Sequence, residues 1–413
     1  MPVKDEFEFL NSPIWLEYTQ QRYLSPDEMK QRLQQLKKLP VDWSDIANKI
    51  IRNRKIGSIP FFLKCVDKKF WLYPSDSLIK KIDEIEKLGL SLYNQINQQS
   101  LFAQEFFLNS TIEEAITSAI YEGAHSTRAQ AQQLIASGNK PKNKDEWMLV
   151  NNFEALSWVE KNRGAVISKE NILEIHRIVT QHTMEGDDAN FSGKFRNDKV
   201  FIGPHEGIQH GLIDDAISEM IALTTQNPRF IHPLLRAVLF HYFIAYIHPF
   251  FDGNGRTARA LFYFKSMKND LDYVQLLSVS AYLKEHGKQY EKAFEKVVEN
   301  DFDVTYFVDF CLDSIHSALR AVSKKVIYLL HVNELRDKLD LTANQVGLLQ
   351  RMALHKFRTV NIEEYAKQIN KSREVARQEL KILAKLELVH EKQEGKKLVY
   401  CINKEKLEEL VAS

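Results

Sequence analysis

Residues 248–259 read HPFFDGNGRTAR, and this short segment combines a histidine, a carboxylate, a glycine-rich turn and two arginines. It follows residues 234–247, an almost uniformly apolar stretch that predicts a buried helix. Pro249 disfavours the helical conformation at His248, so we expect the helix to end there. His248 would then lie at the end of a rigid helix. Because an imidazole titrates near neutrality, His248 is a candidate general base.

The next four residues, 252–255, read DGNG and predict a tight turn into a second helix. Glycine tolerates positive φ and lets backbone N–H groups approach a ligand closely. The N-terminus of a helix that begins near Arg256 would offer unpaired N–H groups and the positive end of its dipole to a phosphate. Arg256 and Arg259 are three residues apart and share a helix face, and Asp252 is a carboxylate suited to Mg²⁺. The pattern therefore predicts a metal-bound phosphate site beside a base.

The chain as a whole has 413 residues, 44% of them hydrophobic, and a formal net charge of +1. This length predicts two or three domains, and the balanced charge gives no global indication of nucleic acid, membrane or acidic partners. Its three cysteines, at 65, 311 and 401, show no CxxC spacing, which argues against a disulfide framework or a zinc site and favours a reducing compartment. No signal segment or membrane-spanning apolar run is evident, so we expect a cytoplasmic protein.

The distribution of apolar residues predicts a mainly α protein, in keeping with only 15 glycines and 11 prolines. We expect three parts: an accessory region at 1–105 that forms a helical N-terminal extension, a helical core at 106–325 and a C-terminal domain at 326–413. Residues 59–73 are rich in aromatic and β-branched residues and favour a short hairpin. Helices are expected at 26–36, 77–95, 111–122 (with Thr111 as N-cap), 145–161, 168–182, 212–224 and 233–247.

The last ~75 residues predict three helices and a hairpin in series, the order of a winged-helix domain. The helices are expected at 342–355, 362–369 and 372–386, and the strands at 388–391 and 397–402. Cations near one side of the third helix and in the hairpin turn would suit DNA phosphates, but glutamates interleave with them, so a protein-interaction or packing role stays open. The cations are Lys371, Arg373, Arg377, Lys381, Lys396 and Lys397, and the glutamates are Glu374, Glu379 and Glu387.

Residues 248–259 resemble the signature of the Fic (Fido-fold) family, HPFxDGNGRxxR, at every specified position. The resemblance extends over about residues 111–309 and implies a helical Fic core with a small β-hairpin flap. In this family, the AMP moiety of ATP is transferred to a hydroxyl side chain (Ser, Thr or Tyr) of a target protein, and pyrophosphate is released. The resemblance implies that His248 is the general base and that Asp252 binds Mg²⁺. It implies ATP binding by Gly253, Asn254, Gly255, Arg256, Thr257 and Arg259, and also by Tyr290 near the nucleoside.

Residues 193–196 (GKFR) and 200–203 (VFIG) are similar to the flap hairpin of the Fic family. This implies that the flap would dock a target segment by strand addition. The implied docking residues are Val200, Phe201, Ile202 and Gly203.

Residues 118–123 (SAIYEG) resemble the inhibitory signature [ST]xxxE[GN], here Ser118, Glu122 and Gly123, of members whose inhibitory helix precedes the core. The resemblance implies an inhibitory helix at 111–123. Glu122 would pair bidentately with Arg259 and keep that arginine from the γ-phosphate. Tyr121 stands where many relatives have an aliphatic residue.

Three functions from different classes follow from these patterns. The first is an AMP-transferring enzyme autoinhibited by Glu122. The second is the reverse hydrolase, in which Glu122 orients a water that removes AMP from a modified protein. The third is a DNA-binding regulator whose Fic core senses nucleotides. Another donor nucleotide, self-modification and a homodimer are compatible with the resemblance, and no motif identifies the target protein.

Overall fold

A computed structural model describes residues 12–35, 43–98, 103–202, 205–354, 359–395 and 397–412 of the chain. These residues are mainly helical and include three two-stranded antiparallel sheets, as the predicted fold class requires. They group into two compact units, Met1–Leu319 and Arg320–Ser413, so the predicted accessory region and helical core fall in the same unit. Across the described ranges, no helix combines the length and apolarity needed to cross a membrane.

The first unit is built from thirteen labelled helices among its described residues, with short 3-10 and π segments between them. They are α1 (Pro13–Leu16), α2 (Pro26–Gln35), α3 (Trp43–Gly57), α4 (Asp76–Asn97), α5 (Ala103–Tyr121), α6 (Arg128–Ser137), α7 (Lys144–Lys161), α8 (Lys169–Thr180), α9 (Ile213–Thr225), α10 (Pro233–Ile247), α11 (Asn254–Lys268), α12 (Val279–Glu285) and α13 (Gly287–Glu299). The observed bounds lie within a few residues of the helices predicted at 26–36, 77–95, 145–161, 168–182, 212–224 and 233–247, whereas α1, α3, α6, α12 and α13 had no predicted counterpart.

Helix α10 is the buried centre of this unit and coincides with the predicted helix at 233–247. Pro233 occupies its first turn, where the missing N–H costs nothing, and the His232 side chain caps it by accepting from the N–H of Leu234 at 3.3 Å. Apolar residues surround the whole helix, so it packs on every side, most extensively against α11.

The accessory hairpin expected at 59–73 is present and packs on α10. Strand β1 (Ile59–Leu63) pairs antiparallel with β2 (Lys68–Leu72). Phe70 meets Phe243 of α10 edge to face, with ring centroids 5.2 Å apart. Such aromatic contacts stabilise beyond the apolar area that they bury. The accessory region therefore helps to fix the helix that ends at His248.

Thr111 was expected to begin a helix, and that prediction is wrong. Helix α5 starts at Ala103, so Thr111 lies in its interior, where its hydroxyl donates to the carbonyl of Phe107 at 3.1 Å. Residues 103–110 include good helix formers, which carry the helix past the cap-type residue. A threonine inside a helix commonly satisfies its hydroxyl by bonding back to the i−4 carbonyl.

The second unit contains the expected three helices followed by a hairpin. Helix α14 (Thr305–Lys338) carries the chain across the boundary between the units. It is followed by α15 (Ala343–Leu354), α16 (Ile362–Gln368), α17 (Arg373–Lys385), β5 (Val389–Glu394), β6 (Lys397–Ile402) and α18 (Lys404–Ala412). The predicted turn residue Lys396 lies outside the described residues. The strands β5 and β6 pair antiparallel, and Val360 forms a further antiparallel bridge with Tyr400.

Candidate functional site

His248 lies at the C-terminal end of α10 in the left-handed conformation (φ 50°, ψ 61°), and its N–H still donates to the carbonyl of Ile244 at 3.0 Å. Its Nδ1 lies 3.3 Å from the carbonyl oxygen of Ala245. Because a carbonyl only accepts, Nδ1 must carry the proton, which leaves the lone pair of Nε2 available. Burial lowers the pKa of His248 to about 4, and the charge of Arg196 acts in the same direction. The imidazole is therefore neutral near pH 7 and able to accept a proton at Nε2.

The turn after His248 is shaped by Gly253 and Asn254. Gly253 has φ 78°, and a Cβ at this position would lie 2.7 Å from Thr180 Cγ2, so glycine is required twice over. The side chain of Asn254 closes the turn: its Nδ2 donates to the Phe250 carbonyl at 2.7 Å, and its Oδ1 accepts from the Phe250 N–H at 3.0 Å. Asn254 therefore braces the loop with its side chain. Asn254 was expected to bind a phosphate, and only its backbone N–H, in the first turn of α11, is suited to that role.

Asp252 is exposed, and Arg256 lies beside it. Asp252 Oδ1 accepts from the Gly253 N–H at 2.6 Å, and Oδ2 accepts from Arg256 Nη2 at 3.2 Å. Arg256 is buried and also donates to the Val179 carbonyl at 2.8 Å. Within the described ranges, no group of three or more His, Cys, Asp and Glu side chains could hold a metal. A single carboxylate nevertheless fits Mg²⁺, because that ion is commonly held by one or two carboxylates together with substrate phosphates and water.

Arg259 is directed to α5 and to the residue that follows it. Its Nη2 donates to Glu122 Oε1 at 2.7 Å, and its Nε donates to Ser118 Oγ at 2.9 Å. In place of the expected bidentate pair, Arg259 makes one bond to Glu122 and two to Ser118, whose carbonyl also accepts from Nη2 at 3.4 Å. The Arg259 side chain is 3% exposed and that of Glu122 is 30% exposed. A Cβ on Gly255 would collide with the Glu122 carboxylate, so this carboxylate lies directly against the first turn of α11.

Arg256 and Arg259 were expected to face one anion, but in the structure they face different partners. Arg256 is directed to Val179 and Asp252, and Arg259 is directed to Ser118 and Glu122. Thr257 is fully buried and its N–H donates to the Gly253 carbonyl at 2.9 Å. Its backbone therefore closes the first turn of α11, and its buried Oγ1 has no hydrogen-bond partner among the described residues.

Tyr121 lies between Arg259 and the start of α13. The Cζ atom of Arg259 is 5.5 Å from the centre of the Tyr121 ring, a cation–π distance. The same ring lies within 3.3 Å of the place where a Cβ of Gly287 would be. Tyr121 also meets Tyr290 edge to face at 6.3 Å. A surface pocket of about 700 Å³ opens beside Tyr121 and is lined by α12 and α13 residues such as Lys288.

Tyr290, expected near a nucleoside, belongs to an aromatic cluster. Its hydroxyl lies 2.8 Å from Nε2 of His241, and its ring meets Phe294 edge to face at 5.1 Å. Through Tyr121 it reaches the neighbourhood of Arg259. The structure thus brings Tyr290 close to the motif without directing its hydroxyl to it.

The expected flap is a two-residue pairing, β3 (Phe201–Ile202) with β4 (His205–Glu206). Phe201 is 66% exposed, Val200 is half-buried, and Gly203 lies outside the described residues. Arg196, to which the sequence assigned no separate role, ties this hairpin to the motif. Its Nε donates to the carbonyl of His248 at 2.8 Å, and its remaining donors bond to the carbonyls of Asp198 and Ile208.

His176 of α8 is a further residue that the sequence did not reveal. Its Nε2 donates to the Asp252 carbonyl at 3.0 Å, while its Nδ1 accepts from the Gly193 N–H at 3.0 Å. Burial lowers the pKa of His176 to about 4, which keeps the ring neutral. A lone histidine on the buried face of a helix carries no local signal. Only contacts between residues distant in the chain identify its role.

Comparison with known proteins identifies the domain that carries these residues. The Fic/DOC family model matches residues 166–264, which include the flap and the whole of the 248–259 motif. The chain contains a Fic domain. A Fic family protein from Desulfovibrio desulfuricans G20 has the same fold, with a TM-score of 0.52 at 17% identity over 79% of this chain and 96% of that chain. Ser118 and Glu122 lie upstream of the matched Fic domain.

Curated relatives of this Fic domain include the protein adenylyltransferase Fic of Aedes aegypti, 30% identical over 185 residues. That match covers 45% of this chain and 34% of the Aedes protein. The protein of the same name from Nematostella vectensis is 36% identical over 115 residues, covering 26% of this chain and 25% of that protein. The chain thus spans about a third or less of the length of these relatives.

Proposed function

We propose that this chain transfers AMP from ATP to the hydroxyl of a Ser, Thr or Tyr side chain in a target protein, and that Glu122 holds it in an inhibited state. The observation that carries the proposal is the position of His248. Its free Nε2 lies at the end of the buried α10, one tight turn before the N-terminus of α11. The curated relatives named protein adenylyltransferase support the same reaction.

In this reaction the target hydroxyl oxygen attacks the α-phosphorus of ATP. A phosphorus–oxygen bond forms to the target, the bond from the α-phosphorus to the bridging oxygen breaks, and pyrophosphate leaves. The hydroxyl proton passes to Nε2 of His248, which is neutral beforehand because burial lowers its pKa to about 4. Arg196 holds the backbone of His248 and so fixes the direction of that lone pair. Such transfers depend mainly on positioning and charge neutralisation.

The N-terminal turn of α11 supports the phosphate site. Its first N–H groups lack partners within the helix and point to an incoming anion. Asp252 would hold Mg²⁺, which supplies positive charge to the phosphate oxygens when it is bound. Arg256 orients the Asp252 carboxylate through its hydrogen bond to Oδ2. Arg259, once it is released from Glu122, would bind the γ-phosphate.

Inhibition is supported by the placement of the Glu122 carboxylate. It lies against Gly255 and accepts from Arg259, so an anion already occupies the first turn of α11. A γ-phosphate there would meet a like charge and would lose its arginine. ATP would then bind in a pose that does not present its α-phosphorus to His248.

The test is mass spectrometry of the full chain with Glu122→Gly after incubation with Mg²⁺ and each of ATP, GTP, CTP and UTP. We expect self-modification by AMP, strongest with ATP, and much less in the wild type. The double variant with His248→Ala should carry none. If the variant gains no nucleotide from any donor, and also labels no protein of a cell lysate, the transferase proposal is wrong.

A second candidate function is removal of AMP from a modified protein. It is favoured by the electrostatic interaction between Glu122 and His248. Burial is the largest influence on the His248 pKa and lowers it, whereas the Glu122 charge acts in the opposite direction. Glu122 is 30% exposed, so its second oxygen would be able to orient a water. Incubation of an AMP-modified target with wild type and Glu122→Gln separates the two functions, since only the hydrolase requires the carboxylate.

A further inference from the structure

The overall net charge of +1 hides an uneven distribution between the two compact units. Residues 320–413 contain 19 Lys and Arg against 13 Asp and Glu, a formal net charge of +6. Residues 1–319 therefore carry −5. The excess positive charge belongs to the unit that lacks the Fic motif. This uneven distribution of charge between the two units is a feature that the nucleotide chemistry does not explain.

Helix α17 concentrates that charge on its exposed face. Arg373, Arg377, Lys381 and Lys385 follow at four-residue steps, and all four are exposed. Residues four apart on a helix are neighbours on one side, so the four cations form a continuous stripe about 18 Å long. We call these four residues the basic stripe. The opposite side of the helix packs into the core of the unit with Ala376, Leu380 and Leu383.

One of the glutamates that appeared to interrupt this stripe does not reach the surface. Glu379 is 8% exposed, and its Oε2 accepts from the Tyr365 hydroxyl at 2.6 Å. Its Oε1 accepts from Thr342 Oγ1 at 3.2 Å. The carboxylate is therefore part of the internal bonding of the unit. The expectation that Glu379 balances the neighbouring cations on the helix surface is wrong.

Two exposed carboxylates do contact the basic stripe. Glu363 lies 2.8 Å from Arg373, and Glu374 lies 3.3 Å from Arg377. All four side chains are more than half exposed, and ion pairs of this kind contribute little to stability. A phosphate can replace either carboxylate at small cost. Lys381 and Lys385 add two further cations on the same side.

We propose that the basic stripe of α17 binds the phosphates of double-stranded DNA, with the β5–β6 hairpin as a second contact. A single exposed helix fits the major groove, which is about 12 Å wide. Gln378 is exposed beside Arg377 and presents an amide of the type that reads adenine edges. Lys397 is exposed at the start of β6. The charge of the stripe selects a polyanion as the occupant, and this function is separate from nucleotide transfer.

The experiment is fluorescence anisotropy of the full chain with a labelled 25-base-pair duplex of random sequence between 50 and 200 mM salt. With about four phosphate contacts, affinity should fall on the order of a hundredfold over this range. The triple variant Arg373→Ala, Arg377→Ala, Lys381→Ala should lower the slope of log affinity against log salt by about 3. A control that removes three exposed cations from the other unit, Lys64→Ala, Lys80→Ala, Lys87→Ala, should bind like the wild type.

The melting temperature of each variant is measured first, and all the substituted residues are exposed, so we expect it to be unchanged. His248→Ala should bind DNA as the wild type does, which separates this inference from the transferase proposal. No anisotropy change at 50 mM salt overturns the inference, and the exposed Val375 and Ile382 of the same helix would then point to a protein partner. Equal loss of binding in the triple variant and the control also overturns it, because attraction would then reflect net charge alone.

Discussion

The imidazole of His176 lies parallel to the ring of Phe250, with ring centroids 3.6 Å apart and an interplanar angle of 3°. Its two nitrogens bond to Gly193 on one side and to Asp252 on the other. One side chain therefore joins the segment that leads to the flap with the loop that carries the motif. The arrangement requires the neutral ring, because Nδ1 accepts a hydrogen bond from Gly193.

This requirement predicts a pH dependence of stability. The pKa of His176 is about 4 in the folded chain, below the value of 6.5 for an unperturbed histidine, because the ring is buried. A depressed histidine pKa contributes stability above pH 6.5 that is lost as the pH falls towards 4. The shift corresponds to at most about 3 kcal/mol.

The pH dependence is measured by urea unfolding of wild type and His176→Gln between pH 7.5 and 4.5. The variant should be less stable at pH 7.5, by about 1–3 kcal/mol, because it leaves a buried N–H or carbonyl poorly paired. It should also lose less stability on acidification. Parallel curves for the two proteins would contradict the role of His176.

Loosening the hold on Arg259 should activate AMP transfer in steps. Ser118→Ala removes the acceptor of Arg259 Nε, and a hydrogen bond to a charged group is typically worth about 1.5–3 kcal/mol, which corresponds to a rise on the order of tenfold or more. Glu122→Gly removes the charged partner and should raise the rate further. Incorporation of label from α-³²P-ATP measures both, with Glu160→Gln, which changes an exposed carboxylate, as a control. A Ser118→Ala rate equal to that of wild type would show that Glu122 alone retains the arginine.

Tyr121 should contribute to inhibition through its ring. Cation–π contacts contribute about 0.5–2 kcal/mol, so Tyr121→Ala should raise basal AMP transfer roughly 2- to 30-fold. Tyr121→Phe keeps the ring and should remain close to wild type, which makes it the matched control. The same labelling assay applies. If Tyr121→Phe is activated as much as Tyr121→Ala, the hydroxyl rather than the ring face is responsible.

Asp252→Asn should separate Mg²⁺ binding from the rest of the site. The amide is nearly the same size and retains an oxygen acceptor for Gly253, so the turn should survive. Loss of the only charge proposed for the metal should weaken Mg²⁺-dependent ATP binding by roughly 10- to 100-fold, the range typical of lost charge-assisted contacts. Thermal shift with ATP, with and without Mg²⁺, measures the effect in the Glu122→Gly background. An unchanged Mg²⁺-dependent shift would exclude Asp252 as the ligand.

The sequence was sufficient where local chemistry decides the outcome. The uniform apolar run of α10, with Pro233 at its start and Pro249 just after it, set both ends of the helix. The sequence was insufficient where the deciding contact joins residues that are far apart in the chain. His176 reaches Asp252 across 76 residues, and Arg196 reaches His248 across 52.

Two errors have the same origin in local reasoning. Thr111 has a capping side chain, but the helix-forming residues before it continue α5 through that position. Glu379 is charged, but Tyr365 and Thr342 provide hydrogen bonds that allow its burial. In both cases the surrounding structure outweighs the average preference of the residue type.

Because Gly255 has no side chain, the Glu122 carboxylate can lie directly against its backbone. Under the proposed mechanism, two groups compete for the space at Gly255: the Glu122 carboxylate of the same chain and a phosphate of the substrate. A substitution at Gly255 would disturb both, so it offers no way to adjust one without the other. The strength of control can instead change through residues 118–122, which precede the matched Fic domain. Under the proposed mechanism, substitutions could therefore alter regulation and catalysis separately, even though both would depend on the space at Gly255.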